Sequence, residues 1–517
     1  MKLCQRWITL VLSVSMVWLC SLMIAMQYGF TKQKSNVFSV PRSLNFTNVL
    51  RYSSNLSDIV KVNTTNTSRV ELVKRDGLPK ESTIYLVPRK RPKYVPHVPV
   101  LNRNKYEALF RDHPSSNKRP EVLSQSDKLQ LHYDSSEPRD MLERFHQLIN
   151  RYELYPFNDT DVIDPLMTYM GKDALSRTRE KHGGTQVKLF LNFENGGSAI
   201  MKPWRVPRNY ETLPDHYYFA DIERHTAEIA AFHLDRILDF RRVPPVTGRI
   251  FNLSSELRGR ADKDLRKRFF YSPAKNLCFM TDCSQYCGIS REPVCGKPDM
   301  VEGSVGAFLP TQFKAMKKHW VHPFKRSYSK RERVDRWEDD PHYCKRVVMR
   351  QEIFKKGRRL LDIIDLAIFD FFTGNMDRHS YHTFHFFGNF STLIHLDQGR
   401  AFGRYQTDEL SCLVPLIQCC VVRKSTYERL LILQKEEYKL GDVMRESMST
   451  DIIAPVLYEP HYAALDRRLG IVLQEINRCI AHAKSPGEVL KPEPRYSDFH
   501  QDFIPDPTTE PEGSNSL

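Results

Sequence analysis

The chain has no internal repeat, which removes solenoids and repeat arrays from consideration. It also has no G-x-G-x-x-G in its 517 residues, so the familiar glycine signature of nucleotide loops is missing. Acidic residues are in deficit: 62 Asp and Glu against 77 Lys and Arg leave a formal net charge of +15. That balance suits an acidic partner, whether nucleic acid, anionic glycan, acidic protein or membrane surface, and composition does not choose among them. One long uncharged run stands at the start, Trp7 to Met26, between Lys2 and Arg6 on one side and Lys32 and Lys34 on the other. About twenty apolar residues at roughly 1.5 Å each reach across a hydrocarbon core. No small-x-small site closes the run, so a signal-anchor over 1–26 is expected rather than a cleaved signal peptide. Basic residues on both flanks leave its orientation open on charge alone.

Sequons occur at Asn45, Asn55, Asn63, Asn66, Asn158, Asn252 and Asn389, a number that chance supplies in part. Beyond the anchor, Cys278, Cys283, Cys287 and Cys295 make a C-x4-C-x3-C-x7-C cluster open to zinc or to disulfides. Zinc sites usually use closer pairs, and a membrane run points to an oxidising lumen, so disulfides are favoured. Residues 27–135 read as a luminal stem, largely disordered, with the Pro88-Arg-Lys-Arg-Pro-Lys93 stretch as a solvated linker or a processing site. Periodic structure begins near Met141: Leu142, Phe145, Leu148, Ile149 and Tyr152 predict an amphipathic helix. Thr185–Phe193 alternates as a strand, Asn195-Gly196-Gly197 turns, and Ser198–Lys202 returns. Helices are expected over His225–Phe240, Leu360–Thr373 (closed by Gly374) and Tyr462–His482, with a short strand at Leu393–Leu396 and a disordered tail from 486. The fold class is α+β with two lobes: domain 136–485, a smaller strand-containing lobe to about 310 and a helical lobe after it.

Phosphoryl transfer needs a cation for nucleotide phosphates, carboxylates for metal, and a carboxylate for the acceptor's proton. Lys202 ends the returning strand; Glu223 follows 21 residues later, before a helix. Asp377 lies in Gly374-Asn-Met-Asp-Arg-His379, and Asp397 ends the short strand 20 residues further on. Each alone reads most simply as a capping or surface acid. The sequence has no H-R-D and no D-F-G, so these residues by themselves support only a metal-assisted transferase.

Longer motifs say more. Phe219-Ala-Asp-Ile-Glu-Arg-His225, Ala227-Glu-Ile-Ala-Ala-Phe-His-Leu-Asp-Arg236, Asp239-Phe-Arg-Arg-Val-Pro-Pro245, Gly374–His379, His395-Leu-Asp-Gln-Gly-Arg-Ala-Phe-Gly403 and Gln418-Cys-Cys420 resemble the family-with-sequence-similarity-20 kinases over roughly 140–485. That family holds the Golgi casein kinase, a xylose kinase and an activating pseudokinase. The resemblance implies an atypical two-lobed protein-kinase-like fold with disulfides. It implies nucleotide contacts at Gln186, Lys202, Glu223, Gly306, Ala307, Phe308, Leu309, His382 and Asp397. Gly183-Gly184 would lie near the usual glycine loop, with Lys188 lining the same region. Metal (manganese preferred, magnesium possible) falls to Glu223 and Asp397, ATP is the co-substrate, and Asp377 is the catalytic carboxylate. Disulfides are implied at Cys278–Cys295, Cys283–Cys287, Cys344–Cys419 and Cys420–Cys479, leaving Cys412 as a buried thiol.

The pseudokinase carries Gln where this chain has Glu223, and Arg423-Lys-Ser-Thr-Tyr427 and Lys435-Glu-Glu-Tyr-Lys439 resemble the extracellular serine/threonine kinase branch, which recognises Ser-x-Glu. The resemblance therefore implies a kinase on the luminal side of the Golgi membrane, type II, or secreted after cleavage in the stem. It implies acidic secreted substrates, a homodimer or a heterodimer with the pseudokinase, and no nucleic acid. One departure stands out: where the family continues Asp-Arg-His-His-Tyr-Glu, this chain has Asp377-Arg-His-Ser380-Tyr-His382, replacing a carboxylate near the nucleotide by an imidazole. A zinc site from His379, His382 and His385 lacks a completing ligand. Between Lys314 and Arg336 nine Lys or Arg (314, 317, 318, 325, 326, 330, 331, 333, 336) interleave with Trp320, Phe324 and Tyr328, a solvated face or a seat for an acidic peptide or sulfated glycan.

Overall fold

The computed structural model of the chain describes residues 105–114, 123–129, 131, 138–157, 160–183, 186–213, 218–281, 293–312, 315–327 and 335–494. The run 7–26, the sequons at Asn45, Asn55, Asn63, Asn66 and Asn158, and Cys283 and Cys287 lie outside them. Among the described residues no helix is long and apolar enough to cross a membrane.

Helix α1 (Lys105–Asp112) falls within the expected stem, yet it is folded. Leu109 is buried, Lys105 Nζ pairs with Asp442 at 2.9 Å, and the Lys105 backbone N–H donates to Glu446 Oε2 at 2.8 Å. Eight residues cannot hold a helix in water alone; the tertiary partner supplies the stability. In α2 (Met141–Leu148) the Asp140 carboxylate caps the N-terminus by accepting from the Leu142 and Glu143 N–H groups. The helix stops short of the expected Tyr152 because Asn150 Oδ1 takes the N–H groups of Tyr152 and Glu153. Helix α3 (Thr160–Lys172) leads into the main sheet.

Strands β1 (Leu175–Glu180), β2 (Leu189–Phe193), β3 (Ser198–Pro203) and β4 (Val246–Asn252) belong to a five-stranded antiparallel sheet. Strand β2 starts four residues after the expected Thr185. The β2–β3 turn needs its glycines: Gly197 has φ +74°, and a Cβ there would stand 2.4 Å from Leu142 Cδ1. Helix α4 (His225–Ile237) ends before the expected Phe240, where Asp239 at φ 64° turns the chain. Strands β5 (Phe269–Tyr271), β6 (Leu277–Phe279) and β7 (Val294–Cys295) form a small sheet stapled by Cys278–Cys295. Strand β8 (Met300–Ala307) enters between β3 and β4, completing the order β1-β2-β3-β8-β4.

The helical half is built on α5 (Arg359–Thr373). The apolar stripe read from the sequence is there, but all fifteen residues are buried, Asp362, Asp365 and Asp370 included. Arginines make this affordable: Arg242, Arg358 and Arg423 surround Asp362 at 3.0, 2.9 and 2.6 Å. Gly374, at φ 67°, caps α5 in the left-handed conformation as expected. Strand β9 (Lys317–Val321) pairs with β10 (Ser380–Phe384), and the expected strand at Leu393–Leu396 is only a bridge, Ile394 to His382. Its backbone is spent elsewhere: the His395 N–H donates to Arg242 O, and Leu396 O accepts from Arg378. Helices α6 (Leu440–Ser447) and α7 (Pro460–His482) complete the layer. The expected disordered tail instead continues in place to Glu493. Strand β12 (Leu490–Lys491) lies parallel to β11 (Val422–Arg423), and the Glu493 carboxylate ion-pairs with Arg423.

Cys344–Cys419 and Cys420–Cys479 are joined, with Cys412 free and buried, its thiol pushed up to about 12 by burial. Of the two described sequons, Asn389 is exposed, and the Asn252 side chain accepts from the Ser255 N–H. Burial also pushes His233, His322 and His461 down to about 3. The unfolded chain binds these protons near pH 6.5 and the folded one does not, so stability falls as pH drops from there toward 3. The thermal midpoint by circular dichroism should be lower at pH 5 than at pH 7, and His233→Gln should flatten that slope.

Candidate active site

Strand β3 buries its last three residues and delivers Lys202 to the junction of the sheet with α4. Three carboxylates meet its ammonium: Glu223 at 2.7 Å, Glu228 at 2.5 Å and Asp397 at 2.7 Å. Glu223 precedes α4 and Glu228 lies in its first turn, while Asp397 sits at φ 61° in the loop after Leu396. A non-glycine residue in that region is a held conformation, of a kind that gathers at functional sites. The loop is tied down from both sides, since the Gln398 N–H donates to Glu228 Oε1 at 3.0 Å. Lys202 holds Asp397 well below the usual carboxylate range. Burial pushes Glu228 up, against the pull of Lys202. Burial opposes the charge on Lys202 itself, yet Asp397, Glu223 and Glu228 raise it well above the ordinary value.

One ammonium against three carboxylates leaves two negative charges in excess, and an oxygen from each of Glu223, Glu228 and Asp397 lies within 4.8 Å of the others. Glu223 Oε2 is buried with no hydrogen-bond donor beyond that ion pair. Convergent hard oxygens with surplus negative charge fit a divalent cation such as magnesium or manganese. Gly399 makes the packing feasible: a Cβ there would stand 2.8 Å from both Cβ and Oε2 of Glu223. Gly399→Ala should therefore displace Glu223 and weaken manganese-dependent thermal stabilisation at least tenfold in metal concentration, with the metal-free melting point within a few degrees of the parent.

Asp377 follows the Gly374 cap, its N–H donating to Asn375 Oδ1 at 3.0 Å and its carboxylate paired with Arg400. Arg378 locks this loop to the Asp397 loop. It makes a bidentate pair with Asp370 on α5 (2.9 and 2.8 Å), and donates to Leu396 O at 2.6 Å and to Gln398 Oε1 at 2.9 Å. Gln186 reaches the same region, donating to Asp221 O at 3.5 Å, the carbonyl that Arg400 Nε also approaches at 3.4 Å.

Residues 140–487 match the family model described as Golgi casein kinase, C-terminal, Fam20. The chain belongs to the Fam20 family. The human extracellular serine/threonine protein kinase FAM20C is 52% identical over 338 residues, 65% of this chain and 57% of that protein. The alignment thus spans little more than half of that relative. The mouse pseudokinase FAM20A is 48% identical over 306 residues, 59% of this chain and 56% of the relative. A crystal structure of the Golgi casein kinase with Mn/ADP bound superposes with TM-score 0.67 at 38% identity, covering 78% of this chain and 96% of that one. Glycosaminoglycan xylosylkinases, among them the zebrafish and human proteins, are also relatives.

Against the Fam20 expectations, Lys202, Glu223 and Asp397 come together directly, and Asp377 and Gln186 are linked to them through Arg378, Arg400 and Asp221. Gly306 and Ala307 end β8, in register with Ile200 and Ala199 of β3, two to three residues along from the Lys202–Ser304 pair. Phe308 and Leu309 follow; Phe308 O is bonded to His146 Nε2 at 2.9 Å, and Leu309 is buried. Lys188 lowers the Asp397 carboxyl and so does line the region. His382 lies on β10 opposite His319, ring centroids 5.2 Å apart, and burial, with Lys317 and Arg378 nearby, takes it down to about 4. It is therefore a neutral imidazole at neutral pH. Sequence reasoning missed Glu228, Arg378 and Arg400. Glu228 had a signal: its helix neighbours Ala227, Ile229, Ala230, Ala231 and Phe232 are all apolar.

Proposed function

We propose that this Fam20 protein is an active luminal or secreted serine/threonine protein kinase that moves the ATP γ-phosphate to Ser in Ser-x-Glu segments of acidic secreted proteins. The observation that carries this reading is the convergence of Glu223, Glu228 and Asp397 on Lys202, joined to Asp377 by Arg378. A bound manganese or magnesium ion would neutralise charge on the nucleotide phosphates. Glu223, Asp397 and Glu228 would hold it, and Lys202 would hold phosphate once nucleotide competes for its carboxylates. Asp377 would accept the acceptor hydroxyl's proton, its carboxylate aimed by the Asn375 turn and Arg400. Anchoring by residues 7–26 and a Golgi location belong to the same proposal.

A second reading has one specific support: His382 supplies no negative charge where the family carries a carboxylate, which favours a nucleotide-binding pseudokinase. The chain from Lys105 onward should be used, because α1 packs on α6. It is assayed with labelled ATP and manganese against a Ser-x-Glu peptide and a xylosylated acceptor. Transfer to the peptide supports the protein kinase, transfer to sugar alone moves the function to a glycan kinase, and nucleotide binding with no transfer to either supports the pseudokinase.

A further inference from the structure

Seven described residues of the basic, aromatic stretch read from the sequence, among them Trp320, Lys325 and Arg336, border a space the phosphotransfer site does not use. A cavity of about 410 Å³ opens between the β9–β10 ribbon and the short helices Arg336–Asp339, Tyr343–Arg346 and Glu352–Lys355. Trp320, Trp337, Tyr343, Phe354 and Tyr381 give it aromatic walls, and Ile353 borders it. It adjoins the catalytic loop, for the N–H of His322, a wall residue, donates to His379 O at 2.9 Å, two residues from Asp377.

The cavity's charge is positive on balance, Lys325 and Arg336 against Asp335. Lys325 and Arg336 stand exposed at its edge, while Asp335 turns its carboxylate into the cap of the helix Arg336–Asp339. Behind the walls the buried Arg359 guanidinium lies 5.0 Å from the Trp320 ring centre and 5.5 Å from that of Tyr381. The polar tips of the walls are already engaged. Trp320 Nε1 donates to Thr383 Oγ1 at 2.9 Å, Trp337 Nε1 to Lys325 O at 2.8 Å, and the Tyr343 hydroxyl to Pro323 O at 3.2 Å. The wall thus offers mainly ring faces, with the His322 ring and Gln351 as its remaining uncharged polar groups. Sugar hydroxyls would find only these to replace lost water, whereas an apolar side chain would gain by burial against the rings.

We propose that this cavity is a substrate-docking site: it takes an aromatic or branched aliphatic side chain of an acidic polypeptide, whose flanking carboxylates meet Lys325 and Arg336. The proposal rests on the protein-kinase reading and adds to it a second point of substrate recognition outside the Ser-x-Glu segment. A cavity of this size exceeds one side chain, so it takes the anchoring residue together with part of the chain beside it, and the cationic edge selects an acidic chain.

The test uses the full chain and two labelled acidic peptide sets, each with one Ser-x-Glu segment, with Phe or Ser placed at successive offsets from it. Fluorescence anisotropy reads binding; labelled ATP reads KM and kcat. At the productive offset the Phe peptide should bind roughly tenfold tighter than the Ser peptide. Ile353→Trp, which narrows the cavity, should remove most of that difference through KM while kcat on the Ser peptide stays unchanged. The double variant K325E/R336E should weaken both acidic peptides, and the Phe peptide more. Equal binding of Phe and Ser peptides at every offset, with transfer to both, overturns the docking site and leaves the kinase standing. Phe-dependent binding lost in Ile353→Trp, with no transfer to any peptide, sustains the docking site and removes the kinase. Displacement of the Phe peptide by a xylosylated oligosaccharide would overturn the peptide as occupant.

Discussion

Asp377→Asn is expected to lower the rate of phosphate transfer by roughly 10²- to 10⁴-fold while leaving manganese-dependent nucleotide binding close to that of the parent. The substitution keeps the shape of the side chain and removes its capacity to take a proton. The loop should stay in place, because its hold comes from Gly374, Asn375 and Arg378 rather than from the Asp377 carboxylate. In the proposed function metal and phosphate fall to a different set, Glu223, Glu228, Asp397 and Lys202, which meet around the Lys202 ammonium. The loss should therefore appear in kcat with little change in the KM for ATP. Calorimetric titration with a non-hydrolysable ATP analogue, beside single-turnover transfer, separates the two quantities. Transfer within threefold of the parent would place the proton acceptor elsewhere and sink the assigned role of Asp377.

Asp362→Ala should be the most damaging substitution away from the site, costing about 3–5 kcal/mol of stability or abolishing folding. Its carboxylate is completely buried on α5 and balances Arg242, Arg358 and Arg423. Removing it leaves Asp365 and Glu493 to share those guanidinium groups, with a buried positive charge in excess. Burial pushes the Asp362 carboxyl up, but Arg242, Arg358 and Arg423 outweigh it and hold the group far below the usual range. A depressed folded-state value gives stability that is full above the unfolded value, near pH 4, and is lost as pH falls below it. Urea unfolding should thus show a constant gap between parent and variant from pH 7 to about 5 and a shrinking gap below 4. An undiminished gap in strong acid would show that the loss is a packing defect. Because α5 carries Gly374 and the Asp377 loop at its end, activity should fall with stability.

How far the sequence could be read depended on the range of the forces involved. Local periodicity located α2, α4, α5 and α7, and the Gly196-Gly197 turn, because side-chain spacing and backbone freedom are properties of adjacent residues. The boundaries drifted where distant groups intervened, as at Asn150 beyond α2 and Asp239 beyond α4. The expected strand at Leu393–Leu396 failed for the same reason: its backbone groups bond to Arg242 and Arg378 rather than to a full neighbouring strand. The expected stem and tail lose α1 and the Pro486–Glu493 segment to the folded domain, since their partners, α6 and Arg423, lie far away along the chain.

The sequence by itself determined the Fam20 membership and the oxygen-rich chemistry of Glu223, Asp377 and Asp397, and the resemblance implied the pairing of Cys278, Cys344 and Cys420 with Cys295, Cys419 and Cys479. Those rest on motifs whose residues must be present whatever the contacts. Tertiary structure alone decided that Glu228 joins the carboxylates around Lys202, that Arg378 binds the two loops together, and that Trp320, Lys325 and Arg336 border one cavity with Trp337, Tyr343 and Tyr381. It also decided that α5 is buried on every side instead of along one stripe. The physical reason is the same in each case. An ionisable group reads as surface in sequence, and only the arrival of an opposite charge from a distant part of the chain makes its burial possible.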